Sequence, residues 1–261
     1  MGHIRLGTLP KTRPWNEVVL LLGQGSGVEE VAAATSTAAR LGFEQARNDP
    51  ALIEAFWLLT QVPLAARAPD FVDRLGRCGI VLEGPPTLIE LASGFAEAVD
   101  TRLRAVGGRT DLGEMAELAA VETLAKAVER KLPGLFGATP QDVQSALASF
   151  GTRKQFGDLA RAFFARFAER YLGYYLSRTL STQVGEGARF RSVDDHTAFN
   201  AALSTHCFEA ARIVRDFAGE WYSKTAWERG ISRERVAEFS YTAFRKLGEE
   251  LRQRDGGTNG R

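Results

Sequence analysis

One segment of the chain, residues 153–180, constrains the fold more than any other part of the sequence. Large apolar side chains recur in it every three or four residues, which is the period of a helix face. The stripe consists of Phe156, Ala160, Phe163, Phe167, Tyr171 and Tyr174, with Phe164 and Tyr175 widening it. Its arc covers roughly 160°, and a helix this apolar needs cover on more than one side. We therefore expect the central helix of a bundle, packed against helices over residues 195–222 and 233–252. Gly157 and Gly173 inside it predict close approach of a neighbouring helix, because glycine has no Cβ. The alternative is that the helix tolerates the cost of these glycines without such a contact.

Helix-start signals recur along the whole chain. Asp49-Pro50 and Thr139-Pro140 each combine an N-cap residue with proline at the first helical position, where the missing N–H costs nothing. The other predicted caps are the capping-box pairs Asp111–Glu114 and Thr152–Gln155, then Asp194 or Asp195 for a helix to about residue 222, and Ser232 for the last helix. Alternating strand patterns do not occur, and only residues 3–9 and 79–82 are candidates for extended chain. The sequence therefore predicts an all-α fold.

The two halves of the chain differ in charge and aromatic content. Residues 1–150 carry 14 basic and 18 acidic side chains, a net charge of −4, whereas residues 151–261 carry 19 and 14, a net charge of +5. The second part also holds 17 of the 25 aromatic residues. We expect two lobes, with short helices over residues 1–108 and long aromatic-cored helices over residues 109–254, joined at Gly107-Gly108 and followed by a disordered tail at 255–261. The opposed charges favour head-to-tail self-association, which salt would screen.

Composition bears on the compartment and on the class of partner. A net charge of +1 argues against a bulk polyelectrolyte as the main partner. The apolar stretches are too short to span a bilayer, and the first residues lack the apolar core of a signal peptide, so we expect no membrane partner. Cys78 and Cys207 lie 129 positions apart without a metal-ligand spacing, which is typical of reduced cysteines. We expect a cytoplasmic protein, and 27 Arg against 6 Lys is typical of a GC-rich bacterial genome.

The aromatic segment also carries a candidate nucleic-acid-binding set, namely Arg153, Lys154, Arg161, Arg166, Arg170 and Arg178. Basic side chains would contact phosphates while exposed rings stack on bases. Two observations favour a structural role instead. Arg161 projects nearly opposite Arg170 on a helix, and the pairs Asp158–Arg161 and Arg166–Glu169 have the spacing at which helical side chains neutralise each other. Core packing and nucleic-acid binding are thus alternative interpretations of one segment.

A second candidate site is the string RSVDDH, in which four residues separate Arg191 from His196. It resembles the R-x(4–6)-H signature of HEPN-type ribonucleases, all-α proteins whose dimers bring two such pairs together at one cleft. Arg189 also falls within that spacing. The resemblance implies that His196 acts as acid or base or positions the 2′-hydroxyl, and that Arg191 stabilises charge on the scissile phosphate. The alternative is that His196 is an exposed polar residue in the first turn of a helix.

Other kinds of site lack essential parts. The loop at residues 23–27, GQGSG, has GxGxG rather than GxGxxG spacing and no lysine, so we expect a helix–loop–helix connector rather than a phosphate cradle. His196, His206 and Cys207 do not have the i, i+3 or i, i+4 spacing of a metal site on one helix, and no GxSxG nucleophile motif occurs. We therefore predict neither a metal nor a cofactor.

Together these patterns predict a bacterial cytosolic accessory or scaffold protein that is not an enzyme and acts through protein–protein contacts. Its partner would be another protein or a second copy of itself. Two alternatives remain open. One is an HEPN-like ribonuclease, a toxin or defence effector using Arg191 and His196. The other is a nucleic-acid-binding module in the basic C-terminal half. The sequence identifies no small-molecule ligand.

Overall fold

The computed structural model describes residues 12–40, 48–106, 108, 110–133, 138–180, 189–228 and 230–253. These residues form eleven α-helices and no β-strand, so the predicted all-α fold is confirmed. The helices are α1 (Arg13–Gly23), α2 (Val28–Ala38), α3 (Pro50–Ala66), α4 (Phe71–Arg77), α5 (Leu88–Val106), α6 (Asp111–Glu129), α7 (Pro140–Ser149), α8 (Arg153–Leu180), α9 (Val193–Ala210), α10 (Arg212–Glu228) and α11 (Arg233–Gln253). None of these helices is both long enough and apolar enough to cross a membrane. Residues 3–9 and 255–261 lie outside the described residues, and residues 79–82 form neither helix nor strand.

Helix α8 lies at the centre of the fold, where it packs most extensively on α10 and also contacts α2, α6 and α9. Its buried rings are those of Phe156, Phe163, Phe164, Phe167 and Tyr171. Phe56 of α3 packs on this row, with ring centroids 5.3 Å from Phe163 and 5.2 Å from Phe164. From α11, the ring of Phe244 lies 5.0 Å from Phe164. The prediction that residues 153–180 form a packed central helix is therefore confirmed.

The two glycines singled out in α8 have different surroundings. A Cβ at Gly157 would lie 2.8 Å from the carbonyl oxygen of Arg215 in α10, so the predicted close approach occurs here. From the other side of the same crossing, a Cβ at Gly219 would overlap the carbonyl oxygen of Arg153. A Cβ at Gly173 would meet nothing within 4 Å, so the prediction of close helix contact at this position is wrong. Gly173 instead lies on the wall of an open groove.

The helix predicted from Asp194 or Asp195 to about residue 222 is two helices, α9 and α10, which meet at Ala211. The helical spacing of the apolar residues predicts one buried stripe, which includes Phe199, Leu203, His206 and Ala210 in α9 and continues at positions 213, 217 and 221. The four residues of α9 are buried as predicted. After the break the three stripe positions are only half-buried, and the buried residues of α10 are instead Val214, Ala218, Gly219, Tyr222 and Thr225. Neither glycine nor proline marks Ala211, so the sequence carries no stop signal there.

Most predicted helix starts are confirmed, with two corrections. Asp49 accepts hydrogen bonds from the N–H groups of Ala51 and Leu52, and Thr139 and Asp142 form a capping box. Helix α6, however, is capped by Thr110, one residue before the predicted Asp111, and α9 by Ser192 rather than Asp194 or Asp195. In both cases a hydroxyl residue stands one or two positions upstream, and its oxygen reaches the N3 backbone N–H.

Side chains from both sides of residue 108 share one apolar core. Helix α3 packs against α5 of the first half and against α6, α7 and α11 of the second. Across the α3–α11 contact, the Glu54 carboxylate is 2% exposed and receives two hydrogen bonds from the Arg233 guanidinium, one of them 2.7 Å long. The division into two lobes at residue 108 stays a prediction.

Candidate functional site

The basic residues of α8 point to three different neighbouring helices. Arg161 binds Glu209 of α9 at 3.1 Å, and Arg166 and Arg170 bind Glu122 of α6 at 3.3 and 2.7 Å. At the start of the helix, Arg153 pairs with Glu220 of α10 at 3.3 Å, while Lys154 is exposed. The side chain of Arg178 lies outside the described part of the chain. The structure thus assigns these arginines to packing contacts between helices, and nucleic-acid binding by them stays a prediction.

Glu122 is the acceptor at the centre of the α6–α8 contact. Its carboxylate binds Lys126 of its own helix as well as the two arginines of α8. Partial burial works against its ionisation, but the hydrogen bonds from Lys126 and Arg170 outweigh this effect and lower the pKa of Glu122 to about 2. The carboxylate therefore stays charged over the physiological pH range and ties α6 to α8.

The RSVDDH string forms the N-terminus of α9. Ser192 is the N-cap, and Asp195 accepts hydrogen bonds from the backbone N–H groups of Arg191 and Ser192. The Arg191 side chain is exposed. His196 lies in the first turn, half-buried, with its ring 5.4 Å from that of Phe190. These contacts account for the string as a helix start, and ribonuclease activity through Arg191 and His196 stays a prediction.

Arg189, the other arginine at the HEPN-like spacing, is used in a structural contact. Its guanidinium donates to the carbonyl oxygens of Leu21, Leu22 and Ser26 at the end of α1. It also lies 4.9 Å from the centre of the Phe199 ring. The end of α1 and the loop at residues 23–27 therefore direct carbonyl oxygens toward a cation, whereas a phosphate cradle needs N–H groups. The predicted helix–loop–helix connector is confirmed.

His206 and Cys207 are both buried in α9. Burial, together with the nearby charge of Glu169, raises the pKa of the Cys207 thiol well above its ordinary value. The thiol therefore stays protonated, and a protonated, buried thiol is neither a nucleophile nor a metal ligand. In the part of the chain that the structure describes, no three His, Cys, Asp or Glu side chains lie together in an arrangement able to hold a metal.

An exposed surface missed by the sequence analysis lies between α4 and α5. Gly79 turns the chain after α4 with a φ of +94°, a backbone region that favours glycine. Buried Ile80 and Pro86 anchor the connecting loop, and Thr87 exchanges hydrogen bonds with Glu90 to start α5. The loop is thus held at both ends. Between the anchors Leu82 packs against the core, whereas Val81 and Glu83 are exposed.

The exposed side chains of this loop and of the first half of α5 combine apolar and acidic groups. Val81 is 81% exposed and Ile89 is 79% exposed, beside a shallow recess of about 610 Å³. Acidic side chains on the recess are Glu83, Glu90 and Glu97, and none of the described residues lining it is basic. Backbone and hydroxyl hydrogen bonds from Thr87 lower the pKa of Glu90, which keeps that carboxylate charged. We call residues 81–97 on this face the α5 surface.

The sequence did contain a signal for the α5 surface. Val81 and Ile89 flank the pair Pro85-Pro86, which excludes a regular helix across the segment and leaves the two side chains without an amphipathic pattern to bury them. Sequence periodicity detects stripes that face the core. It therefore does not mark Val81, which lies in a short loop, or Ile89, which lies in the first turn of α5 outside the buried stripe.

No family model, no curated protein and no solved structure matches the chain. Function therefore has to be inferred from the surfaces of the molecule itself.

Proposed function

We propose that the chain is a non-catalytic cytosolic accessory or scaffold protein that binds a partner protein through the α5 surface. The observation that carries this proposal is the pair of highly exposed apolar side chains, Val81 and Ile89, surrounded by carboxylates. Exposed apolar groups rimmed by polar residues are typical of protein interaction sites.

Charge complementarity defines the partner. With Glu83, Glu90 and Glu97 on the recess and no basic lining residue, the surface favours a segment that carries lysine or arginine. An apolar side chain of that segment would cover Val81 and Ile89, since apolar contacts at the centre of an interface supply most of the affinity. The partner is therefore a protein segment in which an apolar residue is flanked by basic ones.

Selection of phage-displayed random peptides tests this proposal. We expect the peptides enriched on the wild-type protein to place Lys or Arg next to Leu, Ile or Phe, and to be lost by the double variant Val81→Asp, Ile89→Asp. The control is Val193→Asp, which changes an apolar side chain that is 69% exposed on another face. Both Ile89 and Val193 lie in the first turn of a helix, where aspartate is tolerated.

Two results would count against the α5 surface. One is enrichment of peptides without basic residues. The other is equal binding of the enriched peptides to the wild-type protein and to the double variant.

A further inference from the structure

A second site lies elsewhere in the fold, in a groove of about 420 Å³ between α6, α8 and α9. Its bed is apolar, with Met115 and Leu118 from α6 and Leu203 from α9. Met115 and Leu203 are buried, and Leu118 is exposed at the side. Gly173 of α8 lies on the wall, where a Cβ would meet nothing within 4 Å, so no side chain from this position fills the space. Open volume over an apolar bed is the usual form of a small-molecule site.

Acidic groups outnumber basic ones around this groove. Its carboxylates are those of Asp111, Glu114, Glu122 and Glu169, and among the described lining residues the cation is Arg170. Arg170 is paired with Glu122 at 2.7 Å, and Glu122 binds two further cations. At that end of the groove the positive charge of Arg170 is therefore already paired, so Arg170 is not free to bind an anionic ligand.

The other three carboxylates have no cationic partner among the described residues. Asp111 accepts a hydrogen bond of 2.9 Å from the Tyr174 hydroxyl, and Glu169 accepts one of 3.0 Å from Ser204. The carboxylate of Glu114 has no hydrogen bond or ion pair with any part of the chain that the structure describes. Neutral hydroxyl groups satisfy single oxygen atoms but carry no opposite charge. The only positive charge near Asp111 and Glu114 among the described lining residues' contacts is the partial charge at the N-terminus of α6, which does not cancel two carboxylates. The groove thus presents net negative charge next to an apolar bed.

We propose that this groove binds a small organic amine that carries a hydrocarbon chain. Asp111, Glu114, Met115 and Leu118 follow each other at helical spacing, so they lie along one face of α6. The ammonium group would lie at Asp111 and Glu114, and the hydrocarbon chain would cover Met115, Leu118 and Leu203. The groove shares no lining residue with the α5 surface, so this proposal does not depend on a protein partner.

An NMR titration with three six-carbon probes tests the inference, because hexylamine, hexanol and hexanoate are similar in length and end in a cationic, a neutral and an anionic group. We expect hexylamine to bind the wild-type protein at least tenfold more tightly than hexanol, and hexanoate to bind most weakly. Glu114→Gln is expected to weaken hexylamine binding about 1.5- to fivefold, the range for a solvent-exposed charge contact, and to leave hexanol binding unchanged. Glu129→Gln, which changes an exposed glutamate at the other end of α6 outside the groove, is the matched control and should alter neither probe.

A steric variant separates occupancy of the groove from general charge effects. Leucine at position 173 would project into the open volume without meeting a neighbour at its Cβ, so Gly173→Leu should fold normally and lose hexylamine binding. Unchanged hexylamine affinity in the folded Gly173→Leu protein would overturn the proposal. So would hexanoate binding as tightly as hexylamine, or equal hexylamine affinity in the wild-type protein and Glu114→Gln.

Discussion

The sharpest test of the packing of α8 is one substitution made at two of its glycines. Gly157→Ala and Gly173→Ala both add a methyl group inside the same helix, and each gains about 1 kcal/mol of intrinsic helix propensity. At Gly157 the new Cβ would lie 2.8 Å from the carbonyl oxygen of Arg215, whereas ordinary contact begins at 3.4 Å. Helices α8 and α10 would have to separate by roughly 0.6 Å, and overpacking of this kind costs about 1–3 kcal/mol. At Gly173 no atom lies within 4 Å, so the propensity gain stands alone.

Urea unfolding measures the two effects, and their difference cancels the shared propensity term. We expect Gly173→Ala to stabilise the protein by about 1 kcal/mol and Gly157→Ala to be less stable than Gly173→Ala by about 1–3 kcal/mol. In thermal unfolding each kcal/mol corresponds to about 2–4 °C for a chain of this size. If Gly157→Ala stabilised the protein as much as Gly173→Ala does, the close α8–α10 crossing would be refuted.

Three further perturbations follow from the buried polar groups. Glu54→Gln should destabilise the protein by about 2–4 kcal/mol in urea unfolding, which is less than the full cost of breaking a buried ion pair because Arg233 is partly exposed. An unchanged free energy of unfolding would show that the Glu54–Arg233 pair is not a buried contact. Ser240→Ala should raise stability by about 1 kcal/mol, since the buried Ser240 hydroxyl has no hydrogen-bond partner among the described residues; a loss would reveal a bond formed in solution. Glu122 has a lowered pKa, so its stabilising effect is present above about pH 4.5 and is lost as the pH falls towards 2. Glu122→Gln should therefore reduce the dependence of stability on pH in this range, and an unchanged dependence would contradict the assignment.

The sequence predicted those features of the fold that depend on residues close together in the chain. The cap at Asp49 and the capping box at Thr139 depend on side chains within a few residues of the helix start, so a short sequence motif is enough to predict them. The burial of α8 was also predictable, because its apolar arc is too wide for a one-sided surface helix. The break at Ala211 was not predictable, since neither glycine nor proline marks the end of α9.

The candidate sites depend on residues that are distant in the sequence. The groove needs Asp111 of α6, Gly173 of α8 and Leu203 of α9, and no motif links positions so far apart. Likewise, the acidic partner of Arg166 and Arg170 is Glu122, more than forty positions away. The pairs predicted from spacing, Asp158–Arg161 and Arg166–Glu169, do not form: Asp158 binds Arg215 and Arg161 binds Glu209. Sequence spacing therefore identified the charges of α8 but not the neighbours that they contact.

Both proposed binding sites, the α5 surface and the groove, rest on one premise. The aromatic rings of α8 must be buried in the core and not available to a ligand. Solvent paramagnetic relaxation of aromatic protons, produced by a neutral gadolinium chelate, measures this directly. We expect Phe163, Phe164 and Phe167 to show almost no enhancement, and Tyr174, which lines the groove, to show a clear one. Strong relaxation enhancement at the three phenylalanines would contradict the account, because it would mean that the rings of α8 are exposed to solvent and available for binding.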